Sequence, residues 1–268
     1  MKELNNAIFN FRTLEDLADN RTIIHRLNPL TKLLTTIFYV IIVVSFKPYN
    51  ISALIPFIFY PIVLMALSET PYKPLLARLM IAVPFCLFAG ISNLLLDRNI
   101  AFMLFNIPIP YGLLSFISIM LKTLLTVLAI LILIATTSMP MLSRQLILLK
   151  IPAFFVLLLS MVYRYISVLV EESINIYTAY LLRSGEQKGV RMKDMGNLLG
   201  QLIIRTMDRS ERIYAAMKCR GFSGDYSYVS TKKLPNKEVF YMLILAAIFL
   251  FFRIFNPAMI AGTMVTNL

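Results

Sequence analysis

Runs of Leu, Ile, Val and Phe, broken by short clusters of Lys and Arg, organise this chain. A membrane-spanning helix needs about 20 mostly apolar residues. Five stretches reach or approach that length: Leu33–Phe46, Ile51–Leu67, Leu75–Leu96, Leu113–Ser138 and Val239–Phe255. The first is short and turns through "KPYN" into the second. The pattern predicts an all-α membrane protein with about five transmembrane helices plus long amphipathic cytoplasmic helices. Its organisation reads as a cytoplasmic N-terminal segment (1–32), a four-helix transmembrane region (33–140), cytoplasmic or interfacial helices (141–235), and a C-terminal transmembrane helix with its tail (236–268).

Basic residues set the orientation, because cytoplasmic loops carry an excess of Lys and Arg. Arg21, Arg26 and Lys32 precede the first span, whereas only Lys47 follows it, so the N-terminus is expected inside. Glu69, Lys73 and Arg78 then fall in an inside loop, Asp97 and Arg98 in an outside one, and Arg144 and Lys150 inside again. An odd number of spans leaves the C-terminus outside. One piece resists this scheme: in "IPAFFVLLLSMVYRYISVLVEES" the fully apolar part, Ile151 to Tyr163, is too short to cross before Arg164 interrupts it. A crossing there would also push the basic segment Arg183–Arg220 outside, against the positive-inside bias. Met141–Gly221 is therefore expected on the inner side, with a label near Lys188 reachable from the cytoplasm. Leu142–Pro152 reads as a short interfacial helix. Pro56, Pro61 and Pro84 lie within apolar spans, where they either permit kinks or simply bend the helices.

Composition narrows the class. The 268 residues are 59% hydrophobic with mean hydropathy +0.76, and only 15% are charged. The net charge of +12, from 26 Lys and Arg against 14 Asp and Glu, fits inside loops rather than nucleic-acid binding. Cys86 and Cys219 occupy such different settings that a disulfide is not expected, and one histidine, His25, cannot build a metal site. The polar N-terminus is not a signal peptide. There is no GxxxxGK[ST] phosphate loop, so ATP cannot be handled on this chain. The spans carry few groups beyond Lys122 and Asn93 that could do chemistry, which argues against an enzyme. Lys122, about halfway along the fourth span, either packs against a neighbouring helix or contacts another membrane protein.

The region from Leu199 to Met217 is amphipathic, with Leu199, Leu202, Ile203, Met207, Ile213, Tyr214 and Met217 on one side. Arg205, Asp208, Arg209, Arg212 and Cys219 lie on the other. Gly221 suits the stop of this helix, and Lys218 and Arg220 complement the negative end of its dipole. Capping and solvation alone would account for Arg220. Yet "YTAYLLRSG" and "YAAMKCRG" share a spacing in which Tyr177, Ala179 and Arg183 match Tyr214, Ala216 and Arg220, with glycine close behind. Small residues allow close approach and Arg forks to carboxylates, so two similar helix ends suit two copies of a similar partner.

In "IHRLNPLTKLL", "SMVYRYISVLVEES" and above all "LLGQLIIRTMDRSERIYAAMKCRGFSG", the chain resembles the transmembrane (T) component of energy-coupling factor transporters, most closely the CbiQ-type protein of cobalt systems. The resemblance spans nearly the whole chain in the family's order. It implies long coupling helices, each ending in an Ala-Arg-Gly-like motif that docks on one of two ATP-binding-cassette ATPases. Here the motifs read Leu182-Arg183-Ser184 followed by Gly185, and Cys219-Arg220-Gly221; each replaces the alanine and keeps the arginine. The expected coupling residues are Ala179, Leu182, Arg183, Ser184, Gly185, Ala216, Cys219, Arg220 and Gly221, with Lys122 as a contact for the substrate-binding (S) subunit. The implied protein is a non-catalytic subunit of a prokaryotic cell-membrane importer for cobalt or nickel. ATP and Mg would be bound by its partners, no cofactor by this chain. The rival reading is a stand-alone secondary transporter or channel whose basic helices regulate it or bind lipid. That reading needs intramembrane ionisable groups, in which this chain is poor.

Overall fold

The computed structural model describes residues 22, 24–96, 100–104, 107–185, 189–224 and 235–255. The N-terminal stretch before residue 22, the loop residues Asp97 and Arg98, and Lys188 lie outside the described residues. The protein is an all-α membrane protein with one small addition, a two-stranded hairpin. Among the described residues, 22–138 with 235–255 form one compact unit and 139–224 another.

The first unit opens with α1 (Pro29–Val44). Asn28 caps it, its side chain accepting a hydrogen bond from the Leu30 amide at 3.0 Å, and Pro29 supplies the first helical position. The cap starts the helix earlier than hydropathy alone suggests. Lys32, expected ahead of the first span, is therefore inside α1 and buried, its ammonium donating to the Thr136 carbonyl at 2.7 Å. The second apolar stretch is divided into a 3₁₀ segment (Ser52–Ile58) and α2 (Phe59–Ser68). Pro56 lies inside the 3₁₀ segment, where its missing N–H would weaken an α-helical ladder. Next come α3 (Tyr72–Leu96), the antiparallel strands β1 (Ile100–Leu104) and β2 (Ile107–Pro110), and α4 (Tyr111–Thr136). The hairpin was not foreseen. α3 and α4 pack closely because Gly90 lacks a Cβ; one placed there would lie 2.5 Å from a Phe116 ring carbon.

α8 (Asn236–Phe255) closes this unit. Its Phe249 ring sits 5.5 Å from Tyr39 and 5.0 Å, edge-on, from Tyr60, and it joins a core with Val43, Leu54, Phe57 and Leu125. The Tyr39 hydroxyl donates to the Phe57 carbonyl at 2.9 Å, satisfying a polar tip within that core. In lipid such packing, rather than escape from water, holds helices together.

Both ends of α1 are held by charge. At its start, Glu238 from the first turn of α8 accepts hydrogen bonds from the Asn28 amide (3.2 Å) and the Thr31 hydroxyl (3.0 Å). At its end, the Lys122 ammonium donates to the carbonyls of Phe46 and Val44, and Arg253 from the last turn of α8 reaches the Ser45 hydroxyl at 3.0 Å. An anion at the N-terminus and cations at the C-terminus complement the helix dipole. These contacts also fix direction: α8 runs parallel to α1, and α4 runs antiparallel to it, since Thr136 meets Lys32 while Lys122 meets the far end. The end of α4 and the start of α8 therefore lie at the same end of this unit.

The second unit contains α5 (Met139–Leu146), a 3₁₀ turn (Ile147–Leu149), α6 (Ala153–Ser184) and α7 (Met192–Cys219). The left-handed backbone of Lys150 (φ 61°) ends the turn, so the expected interfacial helix Leu142–Pro152 is shorter and begins earlier. α6 corrects a second expectation. It runs unbroken through Arg164, and by length and composition it is long and apolar enough to cross a membrane. A single Arg does not interrupt a helix, and Ile166, Val168, Leu169 and Val170 resume the apolar pattern after it. Among the described residues the other helices meeting that criterion are 72–94, α4 and α8, while α1 and Ser52–Ser68 are shorter apolar helices.

Candidate coupling interface

α6 and α7 form an antiparallel pair. Arg205 of α7 donates to Glu172 of α6 at 2.6 Å, and nearer the turn the Tyr180 hydroxyl donates to Asp194 at 2.7 Å. Sequence reasoning missed both contacts. They join positions 33 and 14 residues apart, and only Asp194, an acid in the first turn of α7, carries a local signal. α7 has no buried residue, and its apolar side, with Leu199, Ile203, Met207 and Tyr214, is exposed.

The two arginine motifs terminate these helices. Arg183 lies in the last turn of α6, exposed, beside Leu182 at 81% exposure. Ser184 turns its hydroxyl back to the Leu181 carbonyl, and Gly185 ends the helix at φ 71°. Arg220 caps α7 and is exposed together with Ala216 and Cys219. Here the stop is complete. The Gly221 amide donates to the Lys218 carbonyl at 2.9 Å and the Phe222 amide to the Met217 carbonyl at 3.1 Å, with Gly221 at φ 85°. This paired arrangement is the Schellman motif, and its left-handed residue favours glycine. Nothing lies within 4 Å of a Cβ added at Gly185 or Gly221, so the requirement there is conformational rather than steric.

The consequence is a pair of presented guanidiniums. Among the described residues neither the Arg183 nor the Arg220 guanidinium has a hydrogen-bond or ion-pair partner. Lys218, between them in sequence, lies 5.0 Å over the Tyr214 ring instead. Arg183 is at the turn between the two helices and Arg220 at the far end of α7, whose 28 residues separate them by about 40 Å. Ala179 lies one turn before Arg183 and Ala216 one turn before Arg220, both exposed. Lys122 is elsewhere, in the other unit, engaged by the end of α1. No group of three or more His, Cys, Asp or Glu able to hold a metal gathers among the described residues.

A multi-helix membrane protein with an exposed helix pair, each helix ended by an arginine followed by a glycine at positive φ, defines the class. The cobalt transport protein family CbiQ matches residues 20–231, and the chain belongs to that family. It is also similar to the energy-coupling factor transporter transmembrane protein EcfT of Bacillus subtilis (strain 168), 29% identical over 253 residues covering 87% of this chain and 94% of that protein. An uncharacterized Methanocaldococcus jannaschii protein, MJ1571, is 25% identical over 206 residues, 72% of this chain and 70% of its own length.

Proposed function

We propose that this protein is the transmembrane coupling subunit of an energy-coupling factor importer. Two ATP-binding-cassette ATPases grip Arg183 and Arg220, and α6 and α7 carry their closure to a separate substrate-binding membrane subunit. The observation that carries the reading is the pair of exposed arginines, their guanidiniums unpartnered among the described residues, one ending α6 and the other ending α7. A spacing of about 40 Å suits one ATPase at each end. ATP and Mg belong to those partners, and this subunit is non-catalytic. Membership of a cobalt transport family supports cobalt, or nickel, as the cargo.

The same reading places residues 139–224 on the cytoplasmic side. α7, charged and amphipathic, stays out of the membrane, and α6 does not cross despite its length, since a crossing would carry the basic segment Arg183–Arg220 outside, against the positive-inside bias. α6 instead lies with its apolar first half embedded and its polar second half outside. The parallel α1 and α8 then carry the N-terminus inside and the C-terminus outside. We assign Lys122 to the end of α1 rather than to a partner subunit.

Affinity purification of the tagged chain from its native membranes tests the assignment. Truncating a charge that is buried and hydrogen-bonded in an interface costs about 2–5 kcal/mol. Wild type is expected to bring two ATPase subunits, and the Arg183→Ala, Arg220→Ala double variant to lose them along with uptake. Full uptake by the double variant, or transport of a solute by the chain alone, would overturn the proposal.

A further inference from the structure

Between α6 and α7 lies a cleft of about 140 Å³. Val168 and Leu169 of α6 form an apolar side, while Arg205, Arg209 and Arg212 of α7 form the other. The three arginines are spaced four and three residues apart, which sets them on one face of α7. Glu172 is taken by Arg205. Asp208 also lines the cleft and offsets part of the remaining charge, but three guanidiniums face two carboxylates. Among the described residues Arg209 and Arg212 have no hydrogen-bond or ion-pair partner.

Its level along α6 is the second observation. The first half of α6 exposes Phe154, Phe155, Leu158, Leu159 and Val162, a surface suited to lipid tails. Tyr163, Arg164 and Tyr165 interrupt that surface, with the Arg164 guanidinium 5.8 Å from the Tyr165 ring centre. Tyrosine and arginine collect at the boundary between hydrocarbon and headgroups. The cleft opens at Val168, about 6 Å further along the helix, and on the reading proposed above, in which only the first half of α6 is embedded, that is the level of lipid phosphates.

We propose that this cleft binds the phosphate of an anionic phospholipid, its acyl chains following the apolar side of α6 and its phosphate held by Arg209 and Arg212. The lipid then bridges the two helices beside the Glu172–Arg205 pair. The site is independent of the ATPase motifs, since neither Arg183 nor Arg220 lines it.

The full-length protein, purified in detergent, is titrated with phosphatidylglycerol or phosphatidylcholine, and bound lipid is counted by native mass spectrometry. Wild type is expected to retain phosphatidylglycerol preferentially. The Arg209→Gln, Arg212→Gln variant is expected to lose that preference by about thirtyfold, each basic residue near an anionic headgroup contributing about fivefold. Arg209→Lys with Arg212→Lys retains the charge and most of the lipid, and Lys218→Gln, elsewhere on α7, leaves binding unchanged. Circular dichroism checks that helix content is equal in all variants. Equal retention of the two lipids by wild type, or equal phosphatidylglycerol binding by the Gln variant, would overturn the proposal. Complete displacement by excess inorganic phosphate would reduce the cleft to a free-anion site. Loss of a co-purifying protein with lipid retained would make it a protein contact. Either result rejects the lipid assignment.

Discussion

The two units of this protein treat charge in opposite ways. In the bundle, Lys32, Lys122, Glu238 and Arg253 all end on backbone or side-chain partners, and three of them secure the ends of α1. In the α6–α7 pair, among the described residues, an Arg–Glu contact and a Tyr–Asp contact join the helices, while the guanidiniums of Arg183, Arg209, Arg212 and Arg220 are left presented. Satisfied charge in a low-dielectric bundle fixes helices in place, since an unpaired group there is costly. Unsatisfied charge at an exposed helix end costs little alone and gains its value from a partner. Among the described residues, the named charges of one unit are partnered within it, while these four arginines of the other are not.

That contrast can be broken most sharply at the two motifs. Replacing Arg183 and Arg220 by Ala should abolish ATPase capture, yet leave thermal unfolding of the purified chain within about 0.5 kcal/mol of wild type, as surface substitutions usually do. Phe249→Ala should act in reverse, costing about 3–5 kcal/mol in reversible unfolding in detergent by emptying the aromatic core. Lys122→Leu leaves the Phe46 and Val44 carbonyls without their donor and should cost about 1–2 kcal/mol by the same assay, with Lys122→Arg recovering part of the loss. The smallest effect belongs to Gly221→Ala. Forcing an L-residue into the left-handed position should fray the last turn of α7 by about 1 kcal/mol, visible as faster amide exchange at Gly221 and Phe222.

Much of the fold was legible because lipid imposes a simple rule on long segments. α3, α4 and α8 lie where uninterrupted apolar sequence placed spans. The misses have local causes. Asn28 and Pro29 start α1 ahead of the hydropathy signal, so Lys32 is taken into the helix. Pro56 divides the second stretch, and the β hairpin is made by backbone pairing that hydropathy does not register. Arg164 looked like a break but is only a polar point on a continuous helix. At the candidate site, the glycine stops were readable from their residue type. The Glu172–Arg205 and Tyr180–Asp194 contacts, and the Glu238 and Arg253 holds on α1, depend on residues brought together by tertiary folding, and nothing in their local sequence announces them.

The central claim is that the two helix ends are separate handles for two ATPases. Photo-crosslinking amino acids placed at Leu182 and, separately, at Cys219 test it most directly in native membranes, because both side chains are exposed beside the arginines. The account predicts that each position captures an ATP-binding-cassette ATPase, and that Arg183→Ala or Arg220→Ala removes the crosslink at its own end. Capture of no ATPase at either position, in membranes that contain those ATPases, would contradict it.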